Sequence, residues 1–265
     1  MYQTTYVRAG SVAEAQHLLS DHPEAKLLSG GQTLVPTLRQ RLARPSHLID
    51  ISHLADLRGI SLEGDQVVIG ATTTHAEVAA NDVVRQRIPG LAQLAGLIGD
   101  PPVRHLGTIG GSIANNDPAA DYPAAVLALK AAVHTSERTI GADNFFTGLF
   151  ETGLDPGEII VRVSFPVPQK SGYEKFHQSA SRFALVGVFV AVLADGSVRV
   201  AVTGAGPCVF RAASIEASLA NNFAAEAAES ASISAEGLNS DIHGSAEYRA
   251  HLVPVLAGRA VSGAR

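Results

Sequence analysis

Cysteine is nearly absent: the 265-residue chain carries one, Cys208. An iron–sulfur cluster needs about four thiolates, and an all-cysteine zinc site as many, so neither belongs on this chain. A disulfide framework is excluded too, which fits a reducing compartment and a cytoplasmic location. Lysine is scarce, with Lys26, Lys130, Lys170 and Lys175 alone, and none follows a glycine. The string Leu28-Ser-Gly-Gly-Gln32 therefore lacks the phosphate loop an ATP-binding cassette requires. Gly204-x-Gly206 has no third glycine, which removes the dinucleotide fingerprint of a Rossmann fold. Positive charge is in deficit, with 20 Lys+Arg against 25 Asp+Glu, so no basic field invites nucleic acid or an anionic membrane. The longest apolar run, Leu185 to Ala194, falls far short of the ~20 residues that span a bilayer. The first residues lack the apolar core of a signal peptide. The ten histidines show no metal-binding spacing and read as surface or helix-end residues.

What remains is a globular chain, 46% hydrophobic and 17% charged, long enough for two to three small domains. Residues 1–55 alternate strand and helix. Val12–Leu19 has helical spacing, Lys26–Leu28 and His47–Ile51 read as strands, and Leu34–Arg41 as a helix between them. That order implies parallel pairing with a crossover. Residues 56–168 begin with a hairpin around Glu63-Gly64-Asp65 and a capping box at Thr74–Glu77. Pro89-Gly90 begins an apolar stretch over Leu91–Ile98, which Pro101-Pro102 ends. A glycine-rich loop, Gly107–Ser112, leads into a helix over Ala119–Leu129, with strands at Ala131–Thr135 and Glu158–Val163. Pro166–Gly172 reads as a linker. Residues 169–265 then open with strands at Tyr173–Gln178, Leu185–Leu193 and Ser197–Thr203, an antiparallel sheet. The Ala- and Ser-rich stretch Ala212–Glu236 reads as surface helices.

Two glycine pairs carry the chemistry: Ser29-Gly30-Gly31-Gln32-Thr33-Leu34, and Gly107-Thr108-Ile109-Gly110-Gly111-Ser112. Glycine lets backbone N–H groups converge on an anion, because no Cβ blocks the approach or forbids positive φ. Thr33, Thr108 and Ser112 add hydroxyls beside the turns. One such loop is an ordinary turn; two suggest a single phosphate ligand held from both sides. The second loop continues through Asp117-Pro118, where Asp117 suits a turn or helix cap, to Asp121 and Pro123.

With these motifs in their order, about 80 residues apart, the chain resembles the FAD-binding medium subunits of the molybdenum hydroxylases. That family includes carbon monoxide dehydrogenase and bacterial xanthine dehydrogenase. Tyr173-Glu-Lys-Phe176 and Ser181-Arg-Phe-Ala184 resemble its third domain. The resemblance implies an α+β chain, with a two-subdomain FAD-binding fold of the vanillyl-alcohol-oxidase type followed by a C-terminal antiparallel sheet with helices. It implies that Ser29–Leu34 and Thr108–Ser112 hold the FAD pyrophosphate by backbone donors, and that Asp121 binds the cofactor's sugar-alcohol chain. Lys175 resembles a residue near the flavin, with a solvated strand lysine as the alternative. Phe183 lies where relatives place an aromatic or apolar residue over one isoalloxazine face, with core packing as the alternative. Ile159 and Ile160 would touch the adenine side or be buried strand residues. Asn115 departs from the histidine found in many carbon monoxide dehydrogenase-type relatives.

The implied partners are a small iron–sulfur subunit and a large molybdopterin subunit, arranged as a dimer of heterotrimers, with electrons leaving FAD for an external acceptor. The alternatives are a stand-alone FAD-dependent oxidoreductase of the same cofactor fold and a cofactor-free assembly protein.

Overall fold

The computed structural model describes all 265 residues. The first unit runs β1 (Thr5–Arg8), α1 (Val12–Asp21), β2 (Lys26–Leu28), α2 (Leu34–Arg39) and β3 (His47–Asp50). Its sheet has the order β1-β3-β2 and both pairings are parallel, as the strand–helix alternation predicts. Ser11 caps α1 by accepting from the Glu14 N–H, and Glu14 in return accepts from the Gly10 N–H. Ala15 of α1 packs onto Ile49 and Ile51 in a small core with Leu54, Leu57 and Ile159. Strand β1 lies outside the sequence reading, because its four residues are mostly exposed and show no alternation.

The middle unit is built on a five-stranded antiparallel sheet. It comprises β4 (Ile60–Glu63), β5 (Gln66–Gly70), β6 (Ala132–Thr135), β7 (Thr139–Gly141) and β10 (Ile160–Pro166), in the order β4-β5-β10-β6-β7. Gly64, at φ +60°, makes the β4–β5 turn. Between β5 and β6 run α3 (His75–Ala80), α4 (Asp82–Arg87), α5 (Pro89–Gly96), α6 (Pro101–Leu106), α7 (Ile109–Asn115) and α8 (Tyr122–Ala128). The capping box forms as read, with Thr74 and Glu77 each satisfying the other's backbone N–H. Pro101-Pro102 does more than end the preceding helix. It starts α6, where a first-turn proline loses no hydrogen bond and Asp100 caps the Val103 N–H. Between β7 and β10 lie the short α9 (Ala142–Phe145) and the strand pair β8 (Phe146–Gly148) and β9 (Glu151–Thr152).

The third sheet pairs β11 (Lys170–His177), β12 (Ala184–Val192), β13 (Val198–Thr203) and β14 (Phe210–Arg211) in sequence order, all antiparallel. The expected linker shrinks to three residues between β10 and β11: Pro166 is still in register with Gln66, and Gly172 is already inside β11. Strand β12 is buried on both faces. Val186, Val188 and Val190 enter one core, and Phe189 and Ala191 enter the other. That second core is shared with the helices of the middle unit, so the third sheet is packed against them through Tyr173 and Phe189. At roughly 1.5–3 kcal/mol per buried large side chain, this shared layer welds the two units together.

The opposite face is covered by α10 (Ala213–Asn221), α11 (Ala225–Glu229) and α12 (Ala246–Gly263). The helices expected on the surface over Ala212–Glu236 bury Ile215 and Leu219 of α10 towards the sheet, and Ala228 of α11 in the same core beside α12. Helix α12, the longest in the chain, is absent from the sequence reading because Pro254 interrupts its pattern. An internal proline costs a helix about 3 kcal/mol, which burial of Leu252, Val253, Leu256 and Val261 offsets. Gly172 admits this helix: a Cβ there would lie 2.2 Å from the Ala260 carbonyl oxygen. No helix is long and apolar enough to cross a membrane.

Candidate cofactor site

The first glycine pair lies where β2 runs out at the C-terminal edge of the parallel sheet, the end at which such sheets expose crevices. Gly31 takes φ +68°, turning the chain into α2, and Gln32 Nε2 closes the bend by donating to the Gly30 carbonyl at 3.2 Å. From Ser29 to Leu34, no backbone N–H donates to any other part of the chain. All six residues are half-buried or exposed, and Leu34 opens α2, where a first-turn N–H has no helical partner, so these donors are accessible to water or to a ligand.

The stretch leading into the second pair, Leu106–Thr108, meets the first. Ser29 Oγ and Thr108 Oγ1 are 3.0 Å apart, and a Cβ on Gly30 would lie 2.2 Å from the Leu106 carbonyl oxygen and 2.7 Å from the Gly107 Cα. Gly107 is pinned from behind. Its carbonyl accepts from the His75 N–H at 2.9 Å, and Thr74 and Thr108 form an isolated antiparallel bridge.

The reading of Gly107–Ser112 as one loop is corrected here. Thr108 is the N-cap of α7, and Ile109 to Ser112 form its first turn. Their N–H groups are committed within the protein: Ile109 to the Thr73 carbonyl, Gly110 to the Ala71 carbonyl at 2.8 Å, Gly111 to Thr108 Oγ1, and Ser112 to the Thr108 carbonyl. The expected backbone donation to a ligand is therefore narrowed on this side to the cap residue Thr108. Gly110 answers a packing need, since its Cβ would lie 2.6 Å from that of Ala71, whereas Gly111 is exposed. Asn116, left-handed at φ 42°, ends α7, and its amide donates to the Gly148 and Glu151 carbonyls. Asp117 forms a turn by accepting from the Ala119 N–H.

Asp121 is buried at the start of α8 and engages two residues of β11. Tyr173 Oη donates to its Oδ1 at 2.5 Å, and Lys175 Nζ lies 3.0 Å from Oδ1 and 3.1 Å from Oδ2. Burial pushes the Asp121 carboxyl up, against the charge of Lys175 and the Tyr173 hydrogen bond. Burial and the adjacent Asp121 raise the Tyr173 phenol well above its ordinary range. The Lys175 side chain is only 3% exposed and also donates to the Arg182 carbonyl, which replaces the expectation of a solvated strand lysine. Phe183, on the turn between β11 and β12, is 45% exposed, so core packing does not account for it. Ile159 and Ile160 are buried in two different cores, as ordinary strand residues are.

The structure thus forms two clusters, Ser29–Leu34 with Gly107–Thr108, and Asp121 with Tyr173 and Lys175. His75 and Tyr122, whose rings lie 5.3 Å apart, stand between them: His75 touches Gly107, and Tyr122 follows Asp121 in the chain. Sequence reasoning missed these two, and the only signal was the place of His75 just after the capping Thr74.

Residues 2–168 match the family described as the FAD-binding domain in molybdopterin dehydrogenase, and residues 171–264 match the CO dehydrogenase flavoprotein C-terminal domain. The chain belongs to the FAD-binding medium subunits of the molybdenum hydroxylases. This medium subunit is 36% identical to the carbon monoxide dehydrogenase medium chain of Hydrogenophaga pseudoflava, over 96% of its length and 94% of that protein's. It is 37% identical to the nicotine 6-hydroxylase medium subunit of Paenarthrobacter nicotinovorans, with 98% and 97% covered. Among solved structures, carbon monoxide dehydrogenase from Oligotropha carboxidovorans aligns with TM-score 0.89 at 32% identity, covering 98% of this chain and 97% of that one. Quinoline 2-oxidoreductase from Pseudomonas putida 86 aligns with TM-score 0.88 at 29% identity, covering 99% and 96%. The medium subunit is accordingly a flavoprotein oxidoreductase subunit whose cofactor is FAD. The free donors of Ser29–Leu34 fit that cofactor's diphosphate, because main-chain N–H groups can approach an anion where no Cβ intervenes.

Proposed function

We propose that this medium subunit receives electrons from an iron–sulfur subunit of a molybdopterin-containing complex and delivers them to an external acceptor. The observation that carries the reading is the run of unpaired N–H groups from Ser29 to Leu34, closed over by the Leu106–Thr108 backbone. When bound, FAD supplies the redox chemistry, linking one-electron donors to a two-electron acceptor. The chain's own residues bind and orient it. The Ser29–Leu34 amides donate to the diphosphate, and Thr108 adds its N–H and hydroxyl. Asp121, anchored by Tyr173 and Lys175, offers its remaining lone pairs to the sugar-alcohol chain. Lys175 holds a fixed positive charge near the flavin, and Phe183 covers one ring face from its exposed turn.

In this reading residues 1–55 and 56–168 are the two halves of the cofactor clasp and 169–265 the third domain, each with its own sheet. Substrate oxidation belongs to a molybdopterin subunit and the relay to a small iron–sulfur subunit, in a cytoplasmic dimer of heterotrimers. The names of the relatives, medium chains and medium subunits of dehydrogenases and hydroxylases, support this division of labour. Purification of the native complex tests it. FAD at one per medium subunit, with molybdenum and iron co-purifying and the flavin reduced through them, is expected. A flavin that turns over substrate without either metal identifies a stand-alone oxidoreductase, and a colourless chain that takes up no FAD identifies an assembly protein.

A further inference from the structure

His75 is the one buried histidine, and its place is specific. It is the first residue of α3, its N–H holds the Gly107 carbonyl, and its ring fills the space behind Gly107, so close that a Cβ there would lie 2.6 Å from Nε2. On its other side is the Tyr122 ring. Nδ1 of His75 and Oη of Tyr122 are both enclosed without hydrogen-bond partners. An interior that leaves an imidazole nitrogen unbonded tolerates that ring only as the uncharged form, because an unpaired charge costs far more to bury than an unpaired dipole.

We propose that His75 is a positioning residue for the flavin diphosphate: its neutral ring props the Gly107 bend and so keeps Thr108 against Ser29 in the geometry that binds the cofactor. This rests on the reading of those bends as the diphosphate site. The ionisable groups on the helices packed against α3 are Arg104 and His105 of α6 and Asp82, Arg85 and Arg87 of α4, with none on α5. On α3 itself Glu77 is tied to Arg58, and beyond Tyr122 Asp121 is tied to Lys175. No carboxylate bonds the imidazole, and burial with the nearby Arg104 lowers its pKa to about 4. Opening of the bend returns the ring to water and to its ordinary value of 6.5. Acid therefore favours the open arrangement. If the whole difference is expressed, the affinity for FAD weakens by up to about 20-fold between pH 7 and pH 5.

The test is FAD binding to the full chain, followed by flavin fluorescence at pH 7, 6 and 5, with far-UV circular dichroism as a check on the fold. Wild type should weaken progressively with the fold intact, while His75→Phe, aromatic but without a titrating nitrogen, should weaken far less over the same steps. A variant that follows the wild-type profile overturns the proposal. So does a wild-type affinity that does not change between pH 7 and pH 5, which needs no variant. If His75→Phe fails to fold, His75→Gln makes the same comparison. A wild-type chain that binds no FAD at pH 7 defeats the diphosphate reading itself, a distinct failure.

Discussion

Tyr173 Oη and Asp121 Oδ1 are joined by a 2.5 Å hydrogen bond across 52 residues of sequence. Lys175, two positions along the same strand, reaches the same carboxylate. Residues i and i+2 share one face of a strand, so β11 presents both groups to the start of α8 as a unit. The third sheet therefore contributes directly to the organisation of the middle unit, and the cofactor clasp is not mechanically separate from it.

Asp121→Asn should leave the Lys175 ammonium buried without a counter-charge. Removing one partner of a buried pair costs roughly 3–5 kcal/mol. We expect that loss in denaturant unfolding of the FAD-free chain, together with weaker flavin retention. Unchanged stability would mean that the pair is solvated in solution.

Gly30→Ala should abolish stoichiometric FAD binding, because the added Cβ would lie 2.2 Å from the Leu106 carbonyl oxygen and must force the two bends apart. Gly141→Ala is the control: nothing lies within 4 Å of a Cβ there. The flavin-to-protein absorbance ratio reads both variants. Full loading of Gly30→Ala would refute the two-bend clasp.

Phe183→Ala should cost less than about 1 kcal/mol of stability, since an exposed side chain on a turn contributes little packing. Its effect is expected in the flavin absorption envelope and fluorescence. A large loss of stability with unchanged spectra would assign the ring to packing after all.

Glu158, just before β10, supplies an acid-sensitive brace to the β6–β7 turn through Thr135 and Arg138. Burial raises its carboxyl, but Arg138, the Thr135 hydroxyl and the Asp155 N–H outweigh burial and bring it down to about 2. A carboxylate depressed from 4.5 to about 2 stabilises the fold above pH 4.5, and that contribution disappears as the pH falls through 2. It amounts to at most about 3 kcal/mol at neutral pH. Glu158→Gln should unfold more easily than wild type at pH 7, and the difference should shrink towards pH 2. A gap that is constant with pH would show that the effect is steric.

Much of the architecture was legible locally. The helix α1, the capping box at Thr74 and the Gly64 hairpin rest on interactions within a few residues, and each appears where the sequence places it. Strand β12 is legible as an apolar run, broken only at Gly187, because it is buried on both faces. What escaped depends on distant partners. Helix α12 tolerates Pro254 because one face is buried against the sheet; the start of α6 is the exception, since Asp100 beside Pro101-Pro102 is a local cap signal. Ile160 and Phe183 could each be read two ways from sequence, since burial is a property of what surrounds a side chain.

The sequence by itself determined where side-chain bulk is missing: two glycine pairs set 80 residues apart, with hydroxyl neighbours. Backbone conformation at those points is a local matter, so it can be read from residue type. Only the tertiary structure decided that the two glycine segments do different work. One leaves its amides free and the other commits them to the Ala71 and Thr73 carbonyls, because whether an N–H is free depends on which acceptor the fold brings within 3 Å.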